Sequence, residues 1–167
     1  STMVASNILD SSRLQLAAEL LQRIERLLLE ADRVRYADQL APYLRDTVNQ
    51  YVYRIKGKQQ VQEELTRIGR ILYSLLPDLR TTYAQHPFLP VVERFFEENF
   101  RVEEDLVQPK ENKDLSSGCL QSLDDLEASY RQKGQRFYKG YVANLTETCH
   151  PENQVQLITK LQTNPNN

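Results

Sequence analysis

Six apolar residues, Val61, Leu65, Ile68, Leu72, Leu75 and Leu79, recur at alternating steps of four and three. An α-helix gathers such a spacing on one face. A second stripe, Leu14, Ala17, Leu21, Ile24 and Leu28, repeats the pattern. Two helices with apolar faces must bury them against each other or against a third element, so these stripes commit the first part of the chain to a helical unit. Ser11 or Ser12 is placed to cap the first helix, and Pro77 predicts where the second stops being regular. Between them, Tyr36, Leu40, Leu44, Val48, Tyr51 and Ile55 predict one or two shorter helices, with a break at Pro42, which suits a first turn, and a turn at Gly57. After His86 and Pro87, a further helix would bury Val91, Val92, Phe95 and Phe96 and leave Glu93, Glu97 and Glu98 in water. Residues from about 8 to 100 are therefore expected to be mainly helical.

The pattern changes near Phe100. Residues 101 to 107 predict a short strand, and the Lys, Asn, Ser and Gly-containing stretch at about 108–125 an exposed loop. Beyond it Phe137, Tyr138, Tyr141, Val142 and Leu145 are β-prone, as are Val155, Leu157, Ile158 and Leu161, and the turn-forming residues 149–153 lie between the two groups. Two antiparallel strands are the expectation. The domains predicted are thus 1–100, helical, and 101–167, a β region.

With 40% hydrophobic residues among 167, the chain can bury a core rather than remain disordered. Its formal net charge of −2 excludes a global cationic field, so any nucleic-acid contact must be local. No apolar run approaches the length of a membrane span. Cys119 and Cys149, with no signal-type N-terminus, suggest a reducing, cytoplasmic setting. The chain opens on Ser-Thr, has its only Met at position 3 and closes on a loop-like Asn-Pro-Asn-Asn; both ends read as cut from something longer.

The most informative stretch chemically is 130–141, where Arg131, Lys133, Arg136 and Lys139 alternate with Tyr130, Phe137, Tyr138 and Tyr141 and no acid intervenes. Cations neutralise phosphates and rings stack beside sugars and bases, which makes this a candidate DNA surface; a core strand with a basic outer face would carry the same residues. Arg54, Lys56 and Lys58 form a smaller cluster, read as a solvated turn. Acids gather at Glu93, Glu97, Glu98, Glu103, Glu104 and Asp105, and again at Asp124, Asp125 and Glu127. Hard divalent ions need converging oxygens, and neighbours along a strand point apart, so these groups read as solvated faces. His86, His150, Cys119 and Cys149 lack the pair spacing of a zinc site.

The run Ser122-Leu123-Asp124-Asp125-Leu126-Glu127-Ala128-Ser129-Tyr130-Arg131-Gln132-Lys133, continued by Gly140-Tyr141, by Thr146-Glu147-Thr148-Cys149 and by Gln156-Leu157-Ile158-Thr159-Lys160, resembles the core of bacterial insertion-sequence transposases of the DDE type. The opening Ser1-Thr2 and the short run to Asn7 are similar to the residues just after the first catalytic Asp of that family, while the helical middle matches by length and placement alone. The resemblance implies an α+β chain in which a helical insertion precedes a small antiparallel β region belonging to a ribonuclease H-like core. It implies further that three carboxylates outside this segment hold two magnesium ions for phosphodiester cleavage and strand transfer. None of those carboxylates maps onto a residue here, so the resemblance implies no catalytic residue, no bound metal or other cofactor, and no activity of this segment alone. The implied partners are transposon-end DNA and a further copy of the protein, with no membrane. The rival expectation is a helical protein-protein interaction module built on the two stripes; an active metal-dependent nuclease using Glu103, Asp105 and Asp124 is a third, weaker one.

Overall fold

A computed structural model describes residues 2–133, 136–147 and 158–165, with side chains followed continuously from 12 to 128. The chain divides into two units, Ser1–Leu115 and Ser116–Asn167. The architecture is α+β. Unit 1 contains helices α1 (Thr2–Leu27), α2 (Glu30–Leu44), α3 (Val48–Arg54), α4 (Gly57–Thr82) and α5 (Leu89–Asn99), then a hairpin of β1 (Phe100–Glu103) and β2 (Leu106–Pro109) and a single 3-10 turn at Asn112–Asp114. Unit 2 contains β3 (Ser129–Lys133), β4 (Arg136–Glu147) and β5 (Ile158–Pro165).

The two stripes do what their spacing dictates. Leu14, Ala17, Leu21 and Ile24 on α1 and Leu65, Ile68, Leu72 and Leu75 on α4 are fully buried, and α1 packs chiefly along α4. Each such leucine contributes about 1.5–3 kcal/mol by leaving water. Helices α2 and α3 close over α1, adding Tyr36, Leu40, Tyr43 and Tyr51 to the core. Helix α3 has seven residues and is held by reciprocal capping: Thr47 Oγ1 accepts from Gln50 N at 3.3 Å, while Gln50 Oε1 accepts from Thr47 N at 3.1 Å. On the other side α5 inserts Val92 and Phe95, and β2 lies against α4.

Several local expectations change. Neither proline breaks its helix: α2 continues through Pro42 and α4 runs past Pro77 to Thr82. Both prolines are exposed, as are Asp38 and Tyr73, the residues whose carbonyls each proline leaves without an amide donor; on that side water can serve those carbonyls. Ser11 and Ser12 lie inside α1 rather than at its start. Residues 101–107 form most of a hairpin instead of one strand, turning at Glu104 and Asp105. Its tip needs positive φ at both residues, 49° and 62°, with neither Gly nor Asn to announce it. The division of units falls after Leu115, so this hairpin belongs with the helices. Gly57 does mark a turn, at φ 79°, and α4 starts there.

Four tyrosines stitch unit 1 together by donating to carboxylates on other elements or turns. Tyr36 reaches Asp78 at 2.5 Å, Tyr51 reaches Glu64 at 2.6 Å, Tyr83 reaches Asp32 at 2.9 Å and Tyr73 reaches Asp105 at 3.2 Å. A buried arginine ties the beginning of the packed region to its end. Arg13 donates to Asn99 Oδ1 at 3.1 Å, to the Asn99 carbonyl at 3.1 Å, to the Lys110 carbonyl at 3.0 Å and to Asn112 Oδ1 at 3.3 Å.

Candidate nucleic-acid interface

The basic and aromatic segment 130–141 lies wholly in unit 2. Its entry is a turn built by its own polar side chains. Ser122 Oγ accepts from the amides of Asp124 at 3.2 Å and Asp125 at 3.3 Å, and Asp125 Oδ1 accepts from the amide of Glu127 at 3.2 Å. Short side chains with an acceptor oxygen close such turns because they satisfy amides that no ladder yet serves. The acids of Ser-Leu-Asp-Asp-Leu-Glu therefore sit in a turn that leads into β3.

After this turn β3 and β4 pair antiparallel, with Tyr130 opposite Lys139, Arg131 opposite Tyr138, Gln132 opposite Phe137 and Lys133 opposite Arg136. Alternate positions of a ladder share a face. Positions 131, 133 and 136 are thus of one face and 139 of the other, so the four candidate cations divide three to one. Opposite pairs in a ladder lie about 4.5–5.5 Å apart, which sets 133 and 136 side by side next to the end of the hairpin. Strand β5 completes the sheet in the order β3-β4-β5 and pairs with β4 antiparallel, with an irregularity between Thr146 and Glu147. Three strands replace the two expected. Lys160, which the charge pattern of the sequence did not single out, is exposed on β5 opposite Thr146, ten residues along β4 from position 136 and so roughly 33 Å away.

The acidic groups are dispersed. Glu93 pairs with Arg80 at 2.7 Å and Glu98 with Arg94 at 2.8 Å, while Arg101 stands 3.9 Å from Glu103. Among the described residues no three His, Cys, Asp or Glu side chains converge as a metal site would require. Cys119 is buried, and His86 accepts the Phe88 amide on Nδ1 at 3.1 Å; Cys149, His150 and the 149–153 turn lie outside the described residues. Among the described residues no helix is long and apolar enough to cross a membrane.

No family model, curated protein or solved structure matches this chain.

Proposed function

We propose that the chain is an internal segment of a DDE-type insertion-sequence transposase. Unit 1 is its helical insertion, unit 2 supplies strands of the ribonuclease H-like core, and the β3–β4 hairpin touches the phosphate backbone of DNA through Arg131, Lys133, Arg136 and Lys139. The observation that carries this reading is the ordered run from Ser122 to Cys149, long enough to be specific, in which a self-capped turn leads straight into a hairpin whose residues 130–141 are basic and aromatic with no acid. The antiparallel order β3-β4-β5 and the position of the helices ahead of it are consistent with an insertion followed by core strands. The segment supplies structure and DNA contact; the cutting and joining carboxylates belong elsewhere in the intact protein, which is expected to work in the cytoplasm with magnesium.

Two experiments test this. For the family, the genomic sequence flanking the coding segment should show an in-frame Asp codon immediately upstream and an Asp-(Ala/Gly)-Gly-Tyr-like segment downstream; absence of both overturns the assignment. For the hairpin, the 167-residue chain is titrated into labelled duplex DNA at several salt concentrations. Each neutralised phosphate contributes about −0.9 to the slope of log affinity against log salt, so replacing all four cations by Gln should flatten the slope by about 3, the three that share a face contributing most of it. An unchanged slope, with helical circular dichroism intact, removes the hairpin as a DNA contact.

A further inference from the structure

The α3–α4 connection, a solvated turn by its sequence, is richer than that in the fold. From 47 to 62 no acidic residue occurs, whereas Arg54, Lys56 and Lys58 fall there together with the amides Asn49, Gln50, Gln59, Gln60 and Gln62. Every residue from 56 to 60 is exposed. Tyr53 is the most exposed large apolar side chain described, at 76%, and the Lys56 ammonium stands 3.8 Å from the centre of its ring. That contact holds the ammonium over the ring face. Arg54 is half-exposed and pairs with Asp46 at 2.5 Å, while Lys56 and Lys58 are exposed. A shallow groove lined by Asp46, Asn49, Gln50, Tyr53 and Arg54 runs beside it.

Beyond the turn the surface is of mixed sign, with Arg101 near Glu103 and Lys113 paired with Glu111. The Glu111 carboxyl is held below its ordinary range first by a hydrogen bond from Lys113, then by the Lys113 charge, with Arg101 and Lys58 adding to the effect. Lys58, Arg101 and Lys113 thus act on one carboxylate from three different elements. A surface of exposed lysines, an arginine, side-chain amides and a tyrosine contains the donors used to hold a phosphodiester backbone, and no base-specific geometry.

We infer that the α3–α4 turn, through Arg54, Lys56 and Lys58 beside Tyr53, is a second contact surface for the phosphate backbone of double-helical DNA. That the polyanion is DNA rests on the proposed role of the β3–β4 hairpin; the surface itself belongs to unit 1 and is tested separately. The whole chain and the Arg54→Gln, Lys56→Gln, Lys58→Gln triple variant are titrated with the same duplex over a salt series, alongside the four-site hairpin variant. The triple variant should lose affinity roughly tenfold or more at low salt and flatten the salt slope by about 2 to 3. A Lys56→Arg, Lys58→Arg control should bind like the parent. If the triple variant retains its helical spectrum and binds with the parent's slope, the proposal fails, whatever the hairpin variant does. If the triple variant flattens the slope and the hairpin variant does not, the turn stands and the hairpin assignment falls. A dimer that the triple variant dissociates, with DNA affinity unchanged, would make the surface a self-association site and overturn the proposal.

Discussion

Gly69 on α4 faces the ring of Phe100 so closely that a methyl group at position 69 would meet Phe100 Cε1 at 2.6 Å and Val107 Cγ1 at 3.0 Å. The glycine is what lets the β1–β2 hairpin lie on the helix. Ala is the better helix former by about 1 kcal/mol, yet overpacking at such a contact costs about 1–3 kcal/mol. Gly69→Ala should therefore destabilise the protein in urea unfolding despite its propensity. Adding Phe100→Leu to Gly69→Ala should cost less than the two single losses summed. A stabilised Gly69→Ala variant would show that the hairpin does not press on α4.

Arg13 is buried at 7% exposure and serves acceptors on Asn99, Lys110 and Asn112. Replacing it by Met preserves bulk but leaves those acceptors without their donors, at a cost of about 2–4 kcal/mol. Arg13→Lys should recover only part of this, since one ammonium cannot span all of them. Equal stability of the Met variant and the parent would refute the clamp.

The tyrosine stitches make stability fall at high pH. Burial first, and the hydrogen bond to Asp78 second, push the Tyr36 phenol up to about 12; Tyr51 is raised further, by burial and then by Glu64. A phenol whose folded value lies above the unfolded value near 10 contributes stability that is fully present below pH 10 and is lost as pH rises toward its folded value. The denaturation midpoint should therefore decline from about pH 10 upward. It should decline less steeply in Tyr36→Phe and Tyr51→Phe. Comparison at matched pH cancels the lysines, and equal slopes in parent and variants would contradict the assignment.

Glu104 and Asp105 hold positive φ at the tip of the first hairpin, a region that disfavours residues with a Cβ. Asn tolerates it better, so Glu104→Asn should stabilise by roughly 0.5–1 kcal/mol. The change leaves intact the bond from Tyr73 to Asp105. A loss of stability would mean that the Glu104 side chain contributes more than its backbone costs.

How much of this was legible differs by element. The α4 stripe was readable because all six of its positions from Val61 to Leu79 are buried, and period alone reports burial on one face. Pro42 and Pro77 misled because a proline signals a break only where its helix cannot turn the affected carbonyl to water, and solvent exposure of a single position does not show in the sequence. The hairpin tip at Glu104 and Asp105 was not read because Asp105 is a turn-prone residue with no Gly or Asn beside it, followed at once by Leu106 and Val107, which continue the strand pattern. Arg13 gave no hint, being one arginine in a polar stretch whose partners lie 86 to 99 residues away. The candidate cations were legible as a run, but their division between two faces depends on the register, which puts Lys133 opposite Arg136.

The Arg13 clamp has a topological meaning. It fastens α1 at Arg13 to the segment that leaves β2, at Lys110 and Asn112. Segments that are far apart in sequence but share one buried donor can come apart only together, so fraying of α1 at this point and loosening of the hairpin exit are a single event.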